Sequence, residues 1–151
     1  SLMNRTQEDE LFPMVRETGV GIMAYSPLGV GLLSGTYRPD EVPDDSTLWG
    51  SRRQGQIGAY MHGRAGRVIS AVQEVASDLG VSMGQVAMAW VMSHPEVTVA
   101  LSGADTVEQI KDVSGALELV LPDDVIARLN DVSAGMRAVL DGAEDDVEDD
   151  E

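Results

Sequence analysis

Two short apolar runs constrain this chain more than any other feature. VGIMAY, residues 20 to 25, and VTVALSG, residues 97 to 103, are each bounded by turn residues and read as buried strands. Each gives way to small residues, SPLGVGLLSG after the first and ADTVEQ after the second. Strands that alternate with helices imply parallel β/α architecture, and parallel strands need cover on both faces. Two such strands make a poor sheet alone, so the chain reads as a piece of a larger α/β fold. No internal repeat is visible.

Helical patterns fill the rest. The opening SLMNRT reads as the end of a strand that begins elsewhere. TQEDELFPMVRETG follows as a short helix capped by Thr6 and stopped by Gly19, with regular helix expected only from about Phe12 because of Pro13. Residues 36 to 66 carry scattered proline and glycine and read as a long irregular loop, a length that in compact domains covers or binds something. From Arg64, the spacing of Val68, Val72, Val75 and Leu79, widened by Ile69 and Ala76, predicts an amphipathic helix ended by Gly80. Ser82 with Gln85, and Thr106 with Gln109, have the spacing of capping boxes, each opening a further helix. LPDDVIARLNDVSAG predicts a last helix, with Pro122 near its start and Gly135 at its end.

Charge narrows the partners. Twenty-six acids face ten bases, nine of them arginine, for a net charge of -16. Such a surface repels nucleic acid and anionic lipid, so neither is an expected partner. The end of the chain, DGAEDDVEDDE from Asp141, holds eight carboxylates and reads as a solvated, disordered tail, which makes 1–137 the folded domain and 138–151 the tail. Abundant acid with one lysine, Lys111, is the habit of proteins from salt-loaded cytoplasm; an ordinary acidic protein is the plain alternative. Cysteine is absent, which removes disulfides and thiolate chemistry, and two isolated histidines argue against a metal site. No apolar run approaches the ~20 residues of a membrane span, so a soluble, cytoplasmic protein is the expectation.

The small residues after each strand admit two readings. In α/β folds ligands sit at the carboxyl ends of strands, where glycine lets them approach and free N–H groups meet an anion. Gly29, Gly31 and Gly35 in one segment, and Ser102, Gly103 and Ala104 before the helix at Thr106, would then form a cleft for a phosphorylated ligand. The other reading is two tight turns that simply need glycine. On pattern alone the turns are slightly ahead, since neither segment is a Walker loop or a GxGxxG.

AYSPLGVGLLSGTY and GQVAMAWVMSHPEVTVALSGADTVEQIKD, with LMNR and ELFPMVRETGVGI before them, resemble the C-terminal half of an aldo-keto reductase over residues 2 to about 135. The resemblance implies a partial (β/α)8 barrel, the C-terminal portion with strands seven and eight. It implies NAD(P)H-dependent reduction of a carbonyl small molecule. In that family the aromatic ending strand seven stacks on the nicotinamide, here Tyr25. The following residues hold the pyrophosphate, here Ser26, Leu28, Gly29 and Gly31. The loop after strand eight holds the adenosine 2′-phosphate and adenine, here Gly103, Ala104, Asp105, Thr106, Gln109 and Asp112. Residues 36 to 66 would be a mobile loop closing over the cofactor. NADP is the cofactor the resemblance implies; the carboxylate of Asp105, where members often carry a basic or hydroxyl residue, opens the door to NAD.

The family's catalytic tyrosine, lysine, aspartate and histidine belong to the first half of the barrel, and this chain offers no catalytic residue. Tyr37 and Tyr60 fall in the long loop and Lys111 on a helix; His62 and His94 read as loop or helix-end residues, Arg52 and Arg53 as an exposed pair, and Trp90 as core. The expected function is therefore the cofactor-binding portion of a reductase, inactive alone. The alternative is a non-catalytic module that completes a barrel with a partner chain or senses nicotinamide cofactor.

Overall fold

A computed structural model describes residues 1–38, 41–51 and 57–137, without the side chains of residues 48 and 59. The order is α1 (Gln7–Thr18), β1 (Ile22–Tyr25), α2 (Leu48–Ser51), α3 (Ile57–Met61), α4 (Gly63–Leu79), α5 (Met83–Met92), β2 (Val97–Leu101), α6 (Val107–Ser114), a 3-10 turn (Gly115–Leu117) and α7 (Asp123–Val132). Arg52, Arg53 and the acidic tail lie outside the described residues. No described helix is long and apolar enough to cross a membrane.

β1 and β2 pair in parallel, with Ile22 opposite Val97, Met23 opposite Val99 and Tyr25 opposite Leu101; an irregularity between Ile22 and Met23 takes up one residue. Side chains alternate across the sheet. Ala24, Val97 and Ala100 turn toward the core, where α5 backs the sheet and α4 and α7 pack behind it. Met23, Tyr25, Val99 and Leu101 turn the other way and are exposed. The strands expected to be buried are thus covered on one face only, because all the described helices that pack on them lie on the same side.

The core gathers Val68, Val72 and Val75 of α4, Val86 and Trp90 of α5 and Leu129 of α7, each at or below 2% exposure. Fully burying one such side chain is worth ~1.5–3 kcal/mol. Trp90 satisfies its indole by donating to Asn130 Oδ1 at 3.0 Å, and the Arg5 guanidinium lies over its ring, 4.9 Å from the centroid. His94 completes this group: its Nδ1 is 2.9 Å from the Trp90 carbonyl oxygen and its ring meets both Trp90 and Phe12.

Three sequence expectations are corrected. The opening segment is a turn and not a strand end: the Asn4 N–H donates to the Ser1 carbonyl at 2.9 Å, while Leu2 and Met3 enter the core. α1 begins at Gln7 and carries Pro13 inside it. The carbonyl of Asp9 that proline leaves without an N–H partner belongs to an exposed residue. Residues 36 to 66 are not uniformly irregular; they carry α2, α3 and the start of α4. Trp49 of α2 is fully buried and donates to the Val30 carbonyl at 2.9 Å, with the rings of Tyr37 and Tyr60 set edge-on against it.

Both capping boxes form as the spacing predicts, Ser82 with Gln85 and Thr106 with Gln109. Thr6, by contrast, occupies its cap position without a side-chain capping bond; its N–H and hydroxyl both donate to Asn4 Oδ1. One buried acid ties α1 to the start of β2. Glu96 accepts from Arg16 Nε at 2.5 Å. Burial works to raise its carboxyl, but its own backbone N–H and the Arg16 guanidinium outweigh that and hold it below the ordinary value.

Candidate cofactor-binding site

The in-register pairing of Tyr25 with Leu101 brings the carboxyl ends of both strands side by side, so the two small-residue segments start from neighbouring points. Tyr25, at 80% exposure, stands on the open sheet face beside Met23, Val99 and Leu101. An exposed aromatic ring on an apolar sheet face can stack on a planar ligand.

After β1 the chain coils through a compact series of turns. Gly29 N–H donates to Ser26, Gly31 N–H to Leu28 and Leu33 N–H to Leu28, at 3.0 Å each. Ser26, Gly29, Val30 and Gly31 all have left-handed backbone, with φ of 51, 56, 56 and 87°. Positive φ at two non-glycine residues is a local cost that the surrounding bonds must hold. Gly29 is buried, and a Cβ on it would fall 2.7 Å from Met3 Cγ, so its missing side chain serves packing. Its N–H, like that of Gly31, is spent within the turns. The N–H groups of Leu28 and Val30 have no acceptor among the described residues, and they are the donors this segment offers to an anion.

After β2, Gly103 has ordinary backbone and open space where a Cβ would be. Gln109 Oε1 accepts from Asp105 N–H at 2.7 Å and from Thr106 N–H at 3.3 Å, and the Thr106 hydroxyl accepts from Gln109 N–H at 3.2 Å. The carbonyl end of the Gln109 amide is therefore committed to capping α6. Gly103 and Ala104 N–H, and the first-turn N–H groups of Val107 and Glu108, remain without described acceptors. Asp105 is exposed, with no cation paired to it among the described residues.

Asp112 sits apart from this group. Its carboxylate accepts from the Ser82 hydroxyl at 2.7 Å, and its carbonyl accepts from Gln85 Nε2 at 2.8 Å, so it clamps α6 onto the start of α5. The same place brings the loop after β1 close to α5 and α6. A Cβ on Gly84 would lie 3.6 Å from Asp112 Oδ2 and 4.0 Å from Leu28 Cδ2. Sequence reasoning read Ser82 as a cap alone and passed over Gly84; a small residue two positions into a capped helix was the available signal. No group of acids and histidines among the described residues is placed to hold a metal.

Residues 1–134 match the model of the aldo/keto reductase family. The chain belongs to the aldo/keto reductase family. It is 32% identical over 135 residues to the uncharacterized oxidoreductase YrpG of Bacillus subtilis, covering 89% of this chain and 39% of that protein. It is 30% identical over 127 residues to a probable voltage-gated potassium channel subunit beta of Oryza sativa, covering 83% and 39%. It is 29% identical over 126 residues to the NADH-specific methylglyoxal reductase of Escherichia coli, covering 82% and 36%. The chain thus spans roughly two fifths of the length of these relatives. The family has a (β/α)8 barrel and uses nicotinamide cofactors; the two parallel strands and their helices are α/β elements of that kind.

Proposed function

We propose that this chain forms the nicotinamide-nucleotide-binding surface of an NAD(P)H-dependent aldo-keto reductase, as strands seven and eight of its barrel, and that carbonyl reduction requires the rest of that barrel. The observation that carries the reading is the parallel pairing of Tyr25 with Leu101, which sets both small-residue loops at one end of the sheet. The exposed ring of Tyr25 and the N–H groups of Leu28, Val30, Gly103 and Ala104, which have no acceptor among the described residues, fit a planar ring joined to phosphates. A bound nicotinamide supplies the hydride for a carbonyl carbon. The residues of this chain bind and orient: Tyr25 covers one ring face, the two loops hold anionic oxygens, and Gly103 leaves room for close approach. The first turn of α6 holds Glu108, and its basic residue, Lys111, comes in the last turn. With Asp105 beside that turn, a 2′-phosphate meets negative charge and a ribose hydroxyl meets an acceptor, which favours NADH over NADPH. The NADH specificity named for the Escherichia coli relative agrees with that choice. Titrating the chain with NADH and NADPH tests the reading. Tighter NADH binding without turnover of added carbonyls is expected; no binding of either removes the proposal, and turnover removes the claim that the chemistry lies elsewhere.

The open face built by Met23, Tyr25, Val99 and Leu101 favours a second reading, in which a partner chain supplies the covering strands. Sedimentation distinguishes the two: a folded monomer that binds cofactor supports the first, and association that covers this face supports the second.

A further inference from the structure

The arginines of this acidic chain are not distributed at random. Four of the seven described ones have carboxylate partners: Arg5 with Glu8, Arg16 with Glu96, Arg38 with Glu41 and Arg128 with Glu74. The three without a carboxylate partner among the described residues are Arg64, Arg67 and Arg137. They converge. Arg64 Nη2 donates to the Ala134 carbonyl, and a Cβ on Gly135 would lie 3.2 Å from that same nitrogen, so the chain passes Arg64 just before it reaches Arg137. Arg67 is one turn along α4 from Arg64. It borders a shallow depression of about 470 Å³ shared with His62, Ser70 and Arg128, in which the one lining acid, Glu74, is already paired with Arg128.

The opening of α4 differs from that of three other helices. α1, α6 and α7 open with acids in the first turn, which suits the positive end of a helix. α4 opens with Arg64, has no acid there, and its cap residue His62 makes no side-chain capping bond. Positive charge is thus concentrated, without its counter-charge, beside the point where the described chain ends at Arg137. Eight carboxylates follow within the next fourteen residues. Four residues from Arg137 to Asp141 reach at most ~14 Å and fourteen reach ~50 Å, against a rise of ~4.5 Å between Arg64 and Arg67.

We propose that the acidic segment 141–151 docks on the Arg64, Arg67 and Arg137 surface and supplies the counter-charge that the start of α4 lacks. Asp131, one turn from Arg128 on α7, limits how far the basic surface extends and sets the docking on the α4 side. The contact is electrostatic, many-to-few and sensitive to salt.

Absence of cysteine makes the test clean, because Val147→Cys gives a single site for a nitroxide label. Selective broadening of the amide signals of residues 63–67 and 134–137, relative to those of α6, is expected at ~0.02 M ionic strength and falls at least about threefold at ~1 M, where the screening length is ~3 Å. The same loss is expected at low salt in Arg64→Gln/Arg67→Gln, and in a chain whose eight tail carboxylates are changed to amides. Should the arginine variant lose its helical circular dichroism, the amide-tail chain decides alone. Uniform broadening, or selective broadening unchanged by salt and by both variants, overturns the proposal. Inorganic phosphate at matched ionic strength gives a further arm: if it shifts residues 63–67 equally in the native and amide-tail chains, the surface is a small-anion site and the tail is not its occupant.

Discussion

Replacing Tyr25 with alanine separates binding from folding. Tyr25 is 80% exposed, so a side chain of ~200 Å² keeps only ~40 Å² out of water, worth ~1 kcal/mol at ~25 cal/mol per Å². The neighbouring Met23, Val99 and Leu101 are exposed too, so no cavity opens and no further cost is added. A stacked nicotinamide ring, by contrast, would lose the ring–ring attraction of ~0.5–1.5 kcal/mol and the apolar area it covers, together ~10- to 100-fold in affinity. Leu129→Ala is the opposite control: that side chain is fully buried, and its removal costs ~2–5 kcal/mol of stability without touching the sheet face. Urea unfolding measures the first quantity for each variant, and nicotinamide fluorescence titration the second. Tyr25→Ala should shift stability by no more than ~1 kcal/mol and weaken NADH strongly. If Tyr25→Ala unfolds the chain, the exposure argument is wrong; if it folds and binds NADH as tightly as the native chain, the stacking role is wrong.

Asp105→Arg should reverse the cofactor preference toward NADPH, measured as the ratio of the two dissociation constants; an unchanged ratio would place the 2′ position elsewhere. Ser82→Ala removes both the cap of α5 and the hydrogen bond to Asp112, and should cost ~0.5–2 kcal/mol. Combined with Asp112→Ala in a double-mutant cycle it should cost less than the sum, whereas strict additivity would mean the clamp carries no energy. Because the Glu96 carboxyl is held below its ordinary value when folded, its contribution is fully present above the unfolded pKa and is lost as pH falls through the lower folded one. Urea midpoints across the acid range should therefore drop less steeply for Glu96→Gln than for the native chain.

What the sequence made legible was local. The capping boxes at Ser82 and Thr106 are three-residue patterns whose partners lie on the same turn, so spacing alone identifies them. The heptad-like stripe of α4 was equally plain, because burial of Val68, Val72 and Val75 follows from their sharing one helix face. The strands were found, but not which of their faces is covered: VGIMAY and VTVALSG are apolar on both sides, and covering depends on elements distant in sequence. The same limit hid Trp49, whose partner is a carbonyl nineteen residues earlier. It also hid the division of labour among the candidate site residues. Gly29 was grouped with Gly31 and Gly103, yet its lost side chain makes room for Met3. Gln109 and Asp112 were grouped as ligand contacts, yet much of their hydrogen-bonding capacity is used in holding α6.

Trp49 has a consequence for how the stretch between β1 and α4 is held. The indole works as a tether post: bonded to Val30 and wedged between Tyr37 and Tyr60, it divides one long excursion into two shorter spans. Closing a span half as long saves only ~0.6 kcal/mol of chain entropy, so the larger effect is mechanical. Removing the indole would rejoin the two spans and release the Val30 carbonyl together with the rings of Tyr37 and Tyr60.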